Sequence, residues 1–556
     1  MPDRAVDPPA DAPQPPTPQR PVATFVRAFA MLSIAASLVL VITKVITKLD
    51  VATLWDDAYM FHRYALNLVN EGRLTWNPGG EPTYGLTTPL VLVLTLPLHL
   101  VTGGNPSLTV MLTSVIAGVV FLGLLVWQWK RAPGSRVIKL VGLVLVAACL
   151  ALSQTTDHFV SGMDTTFALA YLTGWLIAVR WMDRARTLRA AVTVGVLGGL
   201  AFWARPDLCV FVLAVPAALA VVAREADRRR AGWIALLTCA ATLGAVLVFN
   251  RLYFASWLPL PFYAKSLRLY GDNIWRVYRG ASTTELSAFL VSYWPLFVII
   301  GLDVALGVRR WWRREPVDLA LVAATAFFLF YYWLGPLPIM PYSQRFFHPM
   351  LPALFCLTWQ ALSRLEDLIV LPSDAERSPL FGAIVCAAMA ALWTTLVPAA
   401  LVTSRDAVGA VLWRRVGRFN IKAHAKDAGP QKYWFKLDLF SALPDDLVMA
   451  TTEVGMLAAL NPRKIVVDLA GLNERGLAHR RFQAASFFEK YHPDLIYMPY
   501  SHYKEMIEDI QKSAAFKDYE AFDRNALGTK DFGLAINKRS PHYEAMKTII
   551  TRHRTK

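Results

Sequence analysis

Apolar runs of near-bilayer length recur along the first 400 residues, and short basic clusters separate them. Such a pattern restricts the chain to helices packed in a membrane, because lipid offers backbone groups no hydrogen bonds. The runs fall near 24–47, 106–128, 137–153, 164–182, 189–204, 207–223, 231–250, 288–307, 316–334, 346–363 and 379–404. A further stretch, 88–103, is shorter and contains Pro97. Charged residues make up 18% of the chain. A soluble protein would carry about 25%.

The basic clusters orient the spans. With a cytoplasmic N-terminus and 88–103 lying in the interface or re-entering, four clusters fall inside: Lys130-Arg131 with Arg136, Arg184 with Arg186, Arg228-Arg229-Arg230, and Arg309-Arg310 with Arg313-Arg314. That is the positive-inside pattern. If 88–103 crossed, all four would lie outside. The expectation is therefore eleven crossings plus one non-crossing helix, with an external C-terminus. Residues 1–23, with eight prolines in the first 22, read as a disordered cytoplasmic tail. Residues 24–404 form the membrane module, with 48–105 as its first external loop. The net charge of +16 does not indicate nucleic-acid binding, because the Lys and Arg sit mostly in these orienting clusters. The five cysteines all lie in apolar runs, with no metal-site spacing.

Residues 405–556 read as an external soluble α/β domain. Leu447–Ala450, Lys464–Val467 and Asp494–Tyr497 have the composition of buried strands, and helical patterns at 481–490 and 501–513 separate or follow them. Strands near 518–522 and 532–537 complete a sheet expected to be mainly parallel. No dinucleotide or phosphate-loop motif is present.

This topology gathers the unusual polar residues on the external side: Asp56-Asp57, Glu81, Asp157-His158, Asp164, Arg205-Pro206-Asp207, Lys265 and Arg345. Ionisable groups at membrane depth are costly and usually functional. The loop 251–287 also carries Arg251, Lys265, Arg268, Arg276 and Arg279 on the side where positive charge is disfavoured. Contact with anionic headgroups explains it, and so does a pocket for the phosphate of a lipid-borne ligand. The densest segment is Trp55-Asp56-Asp57-Ala58-Tyr59, followed by Arg63-Tyr64, Asn67, Trp76-Asn77-Pro78-Gly79-Gly80-Glu81, Tyr84-Gly85 and Thr88-Pro89-Leu90. A carboxylate there can accept a proton from a hydroxyl, stabilise oxocarbenium-like charge or attack as a nucleophile. Two together can hold a divalent cation.

That string resembles the first external loop of the GT-C class of glycosyltransferases. More narrowly, it is similar to the actinobacterial terminal arabinofuranosyltransferases. Ser161-Gly162-Met163-Asp164-Thr165, Ala204-Arg205-Pro206-Asp207, Phe262-Tyr263-Ala264-Lys265, Arg345-Phe346 with Pro349, Glu453-Val454-Gly455 and Val467-Asp468-Leu469-Ala470-Gly471 resemble later family motifs in the same order. Two features differ from the pattern: Leu258-Pro259-Leu260-Pro261, and Asp164 where Glu is commoner.

The resemblance implies an enzyme that takes a sugar, D-arabinofuranose, from a polyprenyl-phosphate lipid and gives it to a cell-envelope polysaccharide. It implies catalysis by Asp56 or Asp57 and donor-phosphate binding by Arg205, Lys265 and Arg345. Sugar or acceptor contacts would come from Tyr59, Arg63, Glu81, Tyr84, Asp164, Asp207 and His348, and from Glu453 and Asp468 in the soluble domain. Plainer roles stand beside these: a local Arg205–Asp207 ion pair, a strand-end turn at Asp468, an ordinary hydrogen bond at His348. A GT-C enzyme acting on protein or lipid, a transporter of lipid or glycan, and a non-catalytic assembly protein are the competing functions.

Overall fold

The computed structural model describes residues 21–48, 54–266, 271–334, 342–369, 437–480, 482–499, 503–522 and 533–554. The run expected at 379–404 and the start of the soluble domain lie outside them. The helices of the first part are α1 (Pro21–Lys48), α2 (Ala58–Glu71), α3 (Leu92–Val101), α4 (Pro106–Arg131), α5 (Arg136–Ala151), α6 (Ser153–Val160), α7 (Thr165–Ala185), α8 (Leu188–Ala204), α9 (Cys209–Val222) and α10 (Ala226–Tyr253). They continue with α11 (Leu260–Ser266), α12 (Gly271–Ser292), α13 (Trp294–Arg314), α14 (Pro316–Leu334) and α15 (Leu351–Ile369).

Among the described residues, α4, α10 and α14 are long and apolar enough to cross a membrane. Two bent pairs bring the number of such spans to five if each pair counts as one. The run 288–307 thus proves to be a broken helix, and the run 137–153 forms α5 and ends at a bend into α6. The α5–α6 pair bends by 67°, where Leu152 turns extended (φ −62°, ψ 144°). The α12–α13 pair bends by 77°. Pro295, second in α13, has no N–H with which to continue the helix before it. Helix α3 has ten residues, about 15 Å at 1.5 Å per residue. That is half an apolar bilayer core of about 30 Å. It packs beside α2 and α4.

Small residues let the bundle close. Gly195 and Gly199 of α8 face α10, and a Cβ at Gly199 would come within 2.4 Å of the Thr242 Cβ. Four-residue spacing of small residues is how membrane helices approach most closely.

Polar bonds sort the helix ends into two groups. At one end, Arg228 at the start of α10 grips Asp183 near the end of α7 at 2.7 Å. Glu366 of α15 accepts from the Ser135 amide at the start of α5 at 3.0 Å. Nearby, Arg364 bonds both Asp303 and Asp318 at 2.7 Å, and Arg180 also bonds Asp318. These groups belong to the basic-cluster ends of the bundle. The opposite end holds the start of α7, the ends of α8 and α10, helix α11 with Lys265, and the loops carrying Asp57 and Arg345.

The last part is a five-stranded sheet with flanking helices. Its strands are β1 (Val448–Thr451), β2 (Ile465–Asp468), β3 (Leu495–Tyr497), β4 (Tyr519–Phe522) and β5 (Leu534–Asn537), in the order β2-β1-β3-β5-β4. Every expected strand forms, but the sheet is mixed rather than mainly parallel. Strand β1 pairs parallel with β2 and β3, while β5 lies antiparallel between β3 and β4. The helix Lys504–Lys512 carries the chain from β3 past a vacant position to β4, and β5 then returns into the gap.

A candidate acid–base site where the two units meet

The chain enters α2 through a tight turn. The amides of Ala58, Tyr59 and Met60 donate to the carbonyls of Trp55, Asp56 and Asp57, and the Trp55 amide is tied to the Ser161 carbonyl at 3.0 Å. Adjacent side chains at such a turn diverge, and the two carboxylates take different partners. Asp56 accepts from the Gly455 amide at 2.9 Å and the Met456 amide at 2.7 Å. These are first-turn donors of the helix Gly455–Leu460, which has no intrahelical use for them. Contact is close enough that a Cβ at Gly455 would sit 1.9 Å from the Asp56 carbonyl oxygen. Asp56 is thus a clasp between the two parts of the molecule.

Asp57 instead meets Arg345 at 3.4 Å. That is longer than the ~2.8 Å of a tight charge-assisted bond. The Arg345 guanidinium lies 5.8 Å from the Trp55 ring and 5.0 Å from the Phe346 ring. Lys265, on α11, lies 5.9 Å from the same Phe346 ring. Burial and then the field of Arg345 pull the Lys265 ammonium down to about 8, against the opposing pull of Asp57. Arg205 and Asp164 act on Lys265 as well, so these five charges form one cluster. Within it, Arg205 is held by Asp207 at 2.9 Å through Nε, and Tyr332 donates to the same carboxylate. Thr88 donates to Asp164.

Arg345 is aimed by a strained turn. Ser343 and Gln344, just before it, have φ of 51° and 59°. A left-handed backbone at a residue other than glycine costs about 1–3 kcal/mol. Hydrogen bonds offset that cost. His158 Nε2 donates to the Ser343 carbonyl at 2.9 Å, and Ser343 Oγ donates to Asp157 at 2.8 Å. His348 Nδ1 donates to the Gln344 carbonyl at 3.1 Å, which leaves its Nε2 to accept from the Tyr293 hydroxyl at 2.9 Å. His348 therefore supports the turn from within a fully buried position rather than facing a ligand.

On the soluble side, Glu453 lies buried just before the clasped helix. Burial, then Asp56 and Asp57, hold its carboxyl well above the usual carboxylate range. Asp468 ends β2 fully buried. One of its oxygens accepts from the Asn473 amide and side chain, each at 2.8 Å. Burial pushes it up to about 7.

Four other residues singled out in the sequence lie elsewhere. Arg63, fully buried, donates to the carbonyls of Trp76, Ala458, Asn461 and Lys464 and to Asn77. Tyr59 bonds Ser107 at 2.9 Å. Tyr84 stacks on Phe254 at 4.7 Å. Glu81 is exposed at the rim of a separate cleft. Sequence reasoning missed Thr88, Tyr332 and the Gly455-Met456 amides as functional partners. Only the Gly after Val454 hinted at the last.

Each oxygen of Asp56 accepts one amide hydrogen bond and keeps a further lone pair. Among the described residues, no group of three His, Cys, Asp or Glu is placed to hold a metal ion.

Fold and site together define a helical protein with helices of membrane-spanning length, a small mixed α/β unit, and a buried acid–base cluster at their junction. No family model matches the chain. No curated protein matches it either.

Proposed function

We propose that the chain is a membrane glycosyltransferase that moves D-arabinofuranose from a polyprenyl-phosphate donor to a cell-envelope glycan outside the plasma membrane. The observation that carries the reading is the meeting of Asp57 with Arg345 beside Lys265. One base stands among cations suited to a phosphate. In this reading Asp57 takes the proton of the attacking hydroxyl. The anomeric carbon–oxygen bond to phosphate breaks, and its electron pair goes to the phosphate oxygen. Lys265 and Arg345 meet the charge left there, Lys as a point charge and Arg with its planar fork. Protonated Glu453 keeps a third negative charge away from Asp56 and Asp57. Asp56 positions the soluble unit over the site. Eleven crossings, with cluster and soluble unit external, belong to the same proposal.

The test is transfer by the purified full-length protein from polyprenyl-phosphate-arabinose to short arabinan acceptors. Asp57→Asn is expected to lose at least 100-fold in kcat, the scale of one general-base contribution. Wild-type protein that moves no sugar from that donor overturns the arabinose assignment. An Asp57→Asn variant with full activity overturns the site.

A further inference from the structure

A concavity lies on the other side of α11 from the cluster. It encloses about 800 Å³ between the α10–α11 connection, the helices Arg475–Ala478 and Ala484–Tyr491, and Glu81 of the first loop. Pockets that bury small ligands run to about 300–1,000 Å³. Aromatic side chains line it, among them Trp257, Tyr263 and Tyr491, together with three guanidiniums, Arg251, Arg475 and Arg480. Trp257 is 50% exposed. The Tyr263 ring sits 4.1 Å from that of His479, joining the two walls.

The chemistry of the lining narrows what fits. Two carboxylates, Glu81 and Glu474, share the cleft with the guanidiniums. Lys490 already compensates Glu474 at 3.1 Å. A purely anionic ligand would meet both carboxylates. A polyhydroxylated ligand uses both kinds of group, because each hydroxyl donates to a carboxylate and accepts from a guanidinium. Exposed aromatic faces suit the C–H faces of a sugar ring, which are apolar. The position also matters. Tyr263 and Lys265 lie two apart on α11, and helical side chains two apart do not face the same way. One helical turn thus presents Tyr263 to the cleft and Lys265 to the Asp57–Arg345 cluster.

We propose that this cleft binds the acceptor glycan as a short run of sugar units, in place of the surroundings of Asp468 and Glu453, which are buried. The inference rests on the transferase reading, and the experiment separates the two. Full-length protein is titrated with a fluorescent arabinan oligosaccharide and, in parallel arms, with mannan and galactan oligosaccharides. Transfer kinetics are measured on the same preparations.

Wild-type protein and Asp57→Asn should bind at least one of these with equal affinity. Trp257→Ala and Arg480→Ala, at exposed positions that leave the core intact, should weaken binding at least tenfold. They should also raise acceptor KM while donor KM stays fixed. Binding of none of the oligosaccharides overturns the proposal, as does wild-type affinity in both cleft variants. Glycan binding lost in the cleft variants, without sugar transfer by the wild type, supports the cleft and removes the arabinose-transfer reading. Transfer with unchanged acceptor KM in the variants does the reverse.

Discussion

At the scale of single residues, two neighbouring aspartates have separate tasks. Asp56 carries a charge-assisted contact between units, and its two amide partners lie 399 and 400 residues away. Replacing it by Asn leaves one acceptor for two donors. The loss should be about 1–3 kcal/mol, the cost of leaving a buried donor unmet, read as a lower melting temperature with a folded membrane part. Asp57→Asn should melt like the wild type. The acidic pair was plain in the sequence. Its division was not, because adjacency along a chain says nothing about partners supplied by a distant turn. Asp468 gives a second test. A carboxyl raised to about 7 stays protonated in the folded protein while the unfolded chain, near 3.9, has released its proton. Between those values the native state binds more protons, so stability falls as pH rises. Glu453 acts in the same direction. Stability of the soluble unit should rise when pH is lowered from 7.5 to 5.5, and Asp468→Asn should flatten that slope. An unchanged slope in the variant would refute the assignment to Asp468.

At the scale of elements, α2 is the strut on which the soluble unit rests. Arg63 reaches three carbonyls around the helix Gly455–Leu460, the Trp76 indole donates to the Val466 carbonyl of β2 at 2.9 Å, and the Tyr64 hydroxyl donates to Asn473 at 3.0 Å. These bonds run mostly from side chains to backbone, so the identity of the soluble-unit residues hardly registers in them. In sequence, a buried arginine in a docking face, such as Arg63, looks the same as one in a ligand site. Arg63→Met keeps volume but strands those carbonyls. Amide exchange in β2 and in Gly455–Leu460 should accelerate at least tenfold, with exchange in α7 and α8 unchanged. Uniform exchange rates in both units would contradict the strut. Strand positions were legible to within a residue or two from their apolar composition. Strand direction was not: the helix between β3 and β4 suggested a parallel neighbour, and only tertiary pairing places β5 between them. The bend in α12–α13 escaped for a similar reason, since the hydropathy run 288–307 continues through the kink, whereas α6 is too polar to extend the run before it.

At the scale of the whole molecule, the packing gathers two kinds of charge at opposite ends of the bundle. The argument from basic clusters used only loop charges. The bonds of Asp183 with Arg228 and of Glu366 with Ser135 independently bring the ends of α7 and α15 together with the starts of α10 and α5. The Asp303–Arg364–Asp318–Arg180 network lies toward the same end and pairs charges that apolar surroundings would otherwise penalise. Asp57, Arg345, Lys265 and the docked soluble unit all lie at the other end. If the basic end faces the cytoplasm, a donor carried by lipid reaches the cluster from outside. Sidedness is then decided by two single cysteines in a variant lacking the native ones. Lys512 is exposed on the soluble unit, with 78% of its side chain accessible, and Arg189 is exposed at the start of α8. A membrane-impermeant maleimide should label Lys512→Cys in intact cells and Arg189→Cys only after permeabilisation. The reverse pattern would put the cluster on the cytoplasmic face, where a soluble nucleotide sugar could serve as donor, and would remove the reason for a lipid-linked one. Labelling of both in intact cells would break the link between the soluble unit and the site end of the bundle, and with it the reading of Asp56 as the clasp.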